Sequence, residues 1–150
     1  MNHSSSSHSR MFLMELIIAI LFFSLASAIC LRMFAASRQM GKDTAELNMA
    51  MNQAGNAAEL LKYAQSEKEA FPGCILKQYP YAAAESSEIF VYFDESWTHC
   101  DSHNAAYFMQ VVQNPEENGI IPYQITVWDT LDNKTAIYSL DLKLHTPLQP

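Results

Sequence analysis

The densest run of side chains able to do chemistry is Trp97-Thr98-His99-Cys100-Asp101-Ser102-His103, with Cys74 upstream of it. Thiolates and imidazoles are the ligands of tetrahedral zinc, which protein chains commonly supply as paired C-x-x-C or spaced His ligands. No C-x-x-C pair occurs, so polar residues of an exposed hairpin loop account for this run more simply than a metal centre does. Of three cysteines, Cys30 lies in an apolar N-terminal run, whereas Cys74 and Cys100 lie in the polar part of the chain and form a candidate disulfide. Such a bond requires an oxidising compartment. Closing a loop of that size would add about 3–4 kcal/mol.

Two acidic groups, Asp94 with Glu95 and Asp101, and Asp129 with Asp132 and Asn133, carry the oxygen ligands calcium takes, but neither has the spacing of a calcium loop. Carboxylates that solvate turns are the simpler account. His99 and His103 flank Cys100 as base and nucleophile would, yet adjacent residues of a strand point to opposite faces. The chain contains no G-x-S-x-G, Gly-rich phosphate loop or H-E-x-x-H. The expectation is a protein that is not an enzyme, with no cofactor, no metal and no small-molecule substrate.

The remaining residue that needs a chemical reason is Glu15. It is the one charge in Met11–Leu31 (MFLMELIIAILFFSLASAICL), and that apolar run, at 1.5 Å per helical residue, spans a hydrocarbon core of about 30 Å. A carboxylate inside the membrane costs roughly 2.5–3.5 kcal/mol on insertion scales, so a plain anchor would carry Leu or Val there. A cleavable secretory signal ending at the small residues of Leu25-Ala26-Ser27-Ala28 is a weaker reading. The apolar run exceeds the usual signal core, and helical character continues past it. Residues 1–10, rich in Ser and His without apolar periodicity, read as a solvated leader.

Met11-Phe12-Leu13-Met14-Glu15-Leu16, preceded by a short polar leader and followed by a long apolar helix, resembles the N-terminus of type IV prepilins and type II secretion pseudopilins. The resemblance covers Arg10–Leu31 by motif and about the first half of the chain by architecture. It implies that a prepilin peptidase cuts between Arg10 and Met11 and methylates the new amine of Met11. It also implies that Glu15 pairs with the N-terminal amine of a neighbouring subunit, the partner that a charge in lipid requires. The implied partners are membrane lipid, other pilin-like subunits, the peptidase and an assembly platform. The family carries Gly or Ala before the cut, where this chain has Arg10. That residue favours the alternative of an unprocessed single-pass anchor presenting a small binding or sensing domain.

Basic residues favour the opposite orientation to the one the resemblance implies, because Arg10 stands alone before the apolar run while Arg32, Arg38 and Lys42 follow it. A candidate disulfide on the far side and the resemblance together favour a C-terminal domain outside the cytoplasmic membrane. The net charge of −7 repels a nucleic-acid backbone, so nucleic acid is not an expected partner.

The elements that must position these residues follow from periodicity. Residues 32–70 lack Pro and are rich in Ala, Met, Leu, Gln, Lys and Glu, which continues the helix; Leu47, Met51, Ala54, Ala58 and Leu61 recur at spacings of four and three and mark its buried face. Gly41 and Gly55 inside it suggest bends or close packing. Phe71-Pro72-Gly73 ends it near Ala70. Residues 71–150 then alternate as strands at Ile89–Phe93, Tyr107–Val112, Tyr123–Val127 and Tyr138–Leu144, joined by the turn-forming segments Asn114–Gly119 and Asp129–Lys134. The expected fold is α+β. A long N-terminal helix, transmembrane over 11–31 and amphipathic over 32–70, packs on a small antiparallel meander whose other face is wet.

Overall fold

A computed structural model describes residues 5–67, 71–130 and 136–145. The chain divides into two compact units, one ending at Thr44 and the other beginning at Ala45. Helix α1 (Ser5–Ser66) belongs to both, starting inside the segment expected to be an unfolded leader and ending four residues before the expected stop. Its continuity follows from composition, because the helix formers Ala, Leu and Met are frequent and no Pro occurs before Pro72.

In the first unit α1 is apolar from Met11 to Leu31 and carries its side chains outward. Met11 is 72%, Phe23 75% and Leu31 70% exposed, so this stretch has no core of its own. Ser24 and Ser27 donate their hydroxyl hydrogen bonds to the main-chain carbonyls of Ile20 and Phe23, each at 2.8 Å. Back-bonding of this kind conceals polar groups on a helix with an apolar surround.

In the second unit the end of α1 packs on a sheet. After it come α2 (Gly73–Gln78) and strands β1 (Ala83–Glu85), β2 (Glu88–Phe93), β3 (Tyr107–Gln113), β4 (Ile120–Asp129) and β5 (Ala136–His145). The strands form one antiparallel sheet in sequence order, the expected meander with β1 as an additional short edge. Asn118 (φ 53°) and Gly119 (φ 75°) occupy the left-handed region at the tip of the β3–β4 hairpin, where Asn-Gly is favoured because both central residues need positive φ. The turn chemistry of Asn114–Gly119 thereby does what its sequence implied. A register shift between Val127 and Trp128 of β4 leaves Ile137 as an extra residue in β5, a bulge.

The core joins one sheet face to α1 and α2. Ile89, Val91, Phe93, Met109, Val111, Ile125 and Val127 are fully or almost fully buried, with Ile75 of α2 beside them. The helix contributes Ala50, Ala54, Ala57, Ala58, Leu61 and Ala64; of the expected face Ala54, Ala58 and Leu61 are buried, whereas Leu47 and Met51 are 38% and 45% exposed. Alanine takes all but Leu61 of these positions because a short side chain lets the helix backbone approach a sheet already filled with Phe, Met and Ile. Neither Gly41 nor Gly55 has anything within 4 Å of where a Cβ would stand, so close packing is not the reason for either.

Candidate functional site

The segment richest in chemical groups is consumed by its own structure. It leaves β2 through a turn in which Oδ1 of Asp94 accepts hydrogen bonds from the main-chain N–H groups of Ser96 (2.8 Å) and Thr98 (3.0 Å). Asp101 repeats the device, with Oδ1 accepting from the N–H of His103 at 2.9 Å. These side-chain turns are the ordinary use of Asp in loops. Trp97, at φ 61°, lays its ring on Tyr107 with centroids 4.2 Å apart and planes 11° from parallel. Tyr79 meets Phe93 and His99 edge-on at 6.3 and 5.5 Å. The loop is therefore clamped by aromatic contacts on the end of the core.

The main-chain N–H of Cys100 donates to the carbonyl of Tyr92, tying the loop to β2. Burial, and then the carboxylates of Asp94 and Asp101, push the Cys100 thiol up, which is opposite to the activation a nucleophile needs. Cys74 is buried on α2 among the core residues, and no bond joins its sulfur to that of Cys100. Of the candidate disulfide pair, Cys74 is placed by the short helix α2 and Cys100 by the loop beside β2. No set of three or more His, Cys, Asp or Glu is gathered at one point among the described residues. Asp129 ends β4, while Asp132 and Asn133 lie outside the described residues.

The outer face of the sheet is less polar than alternation suggested. Phe108 of β3 stands between Phe90 of β2 and Trp128 of β4, each with its ring centre 6.4 Å away, and all three rings are half-buried. The signal was present in Ile89-Phe90-Val91-Tyr92-Phe93, which is apolar in both phases of the alternation. Gln110 donates to Glu88 at 2.9 Å, and Thr126 and Ser139 share a hydrogen bond at 3.2 Å, bracketing the rings with paired polar groups. Between α1 and α2 lies an open groove of about 540 Å³ lined by Asn56, Glu59, Leu60, Tyr63, Gln78 and Tyr79.

The feature with an unmet chemical requirement is the first unit. Arg10–Ser66 is one helix long and apolar enough at its N-terminal part to cross a membrane. Arg10, Met11 and Glu15 stand on it in consecutive turns, all exposed. Among the described residues Glu15 makes no ion pair. Thus α1 places a single carboxylate one turn inside an apolar surface, with the basic residues Arg32, Arg38 and Lys42 beyond the other end of that surface. Arg38 lies over the ring of Phe34 at 5.6 Å. Compared with models of known protein families, with curated proteins and with solved structures, the chain matches none.

Proposed function

We propose that the protein is a pilin-like subunit, a minor pilin or pseudopilin, that sits in a membrane through Met11–Leu31 and assembles with like subunits through the same helix. The observation that carries this reading is Glu15, a carboxylate without an ion-pair partner among the described residues, set in a helix whose apolar side chains are exposed. Lipid supplies no counter-charge, and a carboxylate there has a cost of roughly 2.5–3.5 kcal/mol. A neighbouring subunit whose chain begins at Met11 would offer a terminal amine to Glu15 and offset that cost. The unbroken course of α1 into an α+β domain agrees with the architecture of such subunits. In this reading Met11–Leu31 meets lipid and neighbouring helices, and the sheet domain lies on the extracytoplasmic side. Cleavage between Arg10 and Met11 by a prepilin peptidase would create the amine, and an assembly platform would extract the subunit.

A second reading, a static single-pass anchor for a binding or sensing domain, draws on Arg10 before the cut and on a helix already formed at Ser5. The two differ in what Glu15 does. In its native membrane the filament subunit should lose incorporation into a sheared, sedimentable fraction when Glu15→Val removes the carboxylate, while membrane insertion is kept or improved. Unchanged sedimentation of the Glu15→Val protein would favour the static anchor.

A further inference from the structure

Strand β5 (Ala136–His145) forms one edge of the sheet, and among the described residues it pairs with β4 alone. The opposite edge, β1, is three residues long. A ten-residue edge presents a row of main-chain donors and acceptors that another strand can continue, and natural proteins commonly block such an edge with lysine. Lys143 stands on this one, but it does not stand alone: Asp141, two residues before it, is exposed on the same outer face. Neither makes an ion pair among the described residues. On the other face Leu140, Leu142 and Leu144 are half-buried against the core.

The order of these residues is self-complementary. Place a second β5 antiparallel to the first with Leu142 opposite its own copy. Asp141 then faces Lys143 of the other copy, and Lys143 faces Asp141. Leu140 faces Leu144, and Ser139 faces His145. Shifting the partner by two residues either way, the nearest registers that keep apolar side chains on the core side, sets Asp141 opposite Asp141 or Lys143 opposite Lys143. Opposite charges directly across a ladder are favourable and like charges unfavourable, so the charges select one register out of three. A contact of this kind is isologous, with one patch used twice about a two-fold axis.

We infer that β5 is a dimerisation edge at which two copies of this chain join their sheets, antiparallel and centred on Leu142. The inference stands on the sheet alone and is independent of what Glu15 does; either can fail without the other. The test uses the full-length protein in detergent micelles. Sedimentation should give a dimer that Asp141→Lys and Lys143→Asp each weaken roughly tenfold, because each change turns two attractive cross-strand pairs into two repulsive ones. The double variant Asp141→Lys/Lys143→Asp should restore dimerisation to within about twofold of wild type. In a Cys30→Ser/Cys100→Ser background, a short bis-maleimide should capture a covalent dimer through Leu142→Cys. It should not do so through Ser139→Cys, whose two copies would lie about 20 Å apart along the ladder. A monomer under all conditions, a dimer indifferent to the single charge reversals, or equal capture at 139 and 142 would overturn the inference.

Discussion

The hydroxyl of Tyr107 on β3 donates a 3.0 Å hydrogen bond to Oε1 of Glu46 on α1, joining the helix to the sheet across sixty-one residues of sequence. The same ring carries Trp97 stacked on it, so one side chain fastens both the helix and the clamped loop. Burial first, and then the hydrogen bond and charge of Glu46, push Tyr107 up to about 12. A tyrosine in the unfolded chain titrates near 10. The raised value means that the folded state holds its proton more tightly. The stabilisation is complete below about pH 10 and is lost as pH rises from there through about 12. Denaturant midpoints measured from pH 8 to 12 should fall steeply above pH 10 in the wild type. Tyr107→Phe should cost about 1–2 kcal/mol at pH 8 and flatten that fall.

The helix face in contact with the sheet is set by alanine. Ala54→Leu and Ala57→Leu should each destabilise the domain by about 1–3 kcal/mol through overpacking. Leu47→Ala and Met51→Ala, at exposed positions, should change it by less than about 0.5 kcal/mol. Urea denaturation of the four variants separates the buried alanines from the exposed Leu47 and Met51.

That contrast shows where the sequence was legible. The alternation of Tyr123, Ile125 and Val127 with Gln124 and Thr126, and of apolar with polar residues from Tyr138 to Leu144, revealed strands, and Asn118-Gly119 revealed the hairpin because its backbone demands positive φ. The helix length was visible from the missing prolines. Its buried face was legible in part: Ala54, Ala58 and Leu61 are buried as their spacing implied, whereas Leu47 and Met51 are exposed and the smaller Ala50, Ala57 and Ala64 are buried instead. β1 was missed because Ala83-Ala84-Glu85 has no strand-forming side chain and is held by pairing with β2. At the candidate site, Glu15 was legible as a lone charge in an apolar run. The Asp94 and Asp101 turns were written as Asp followed two residues later by a main-chain donor, a pattern that resembles ligand spacing until the hydrogen bonds are seen.

Gly41 and Gly55 lie in open helix with room for a methyl group. Alanine costs less conformational entropy there, so Gly55→Ala should stabilise the domain by roughly 0.5–1 kcal/mol, read from the denaturation midpoint. Gly41→Ala should raise helical content without affecting the core. A loss of stability in Gly55→Ala would mean that the helix bends at this position.

The environments of Cys74 and Cys100 predict an order of reactivity. Under native, non-reducing conditions Cys100 should be alkylated, and more slowly than a cysteine in a peptide at pH 8 because its pKa is raised. Cys74, 6% exposed, should react only after denaturation. A chain that reacts at neither site until it is reduced would show that the two are joined by a disulfide.

The most direct test of the proposed role is the intact mass and N-terminal sequence of the protein recovered from its native membrane. A subunit of a pilin-like filament should begin at an N-methylated Met11, the residue whose amine Glu15 of a neighbour would meet. A mature chain that still begins at Met1 would contradict that account and leave α1 as a static anchor.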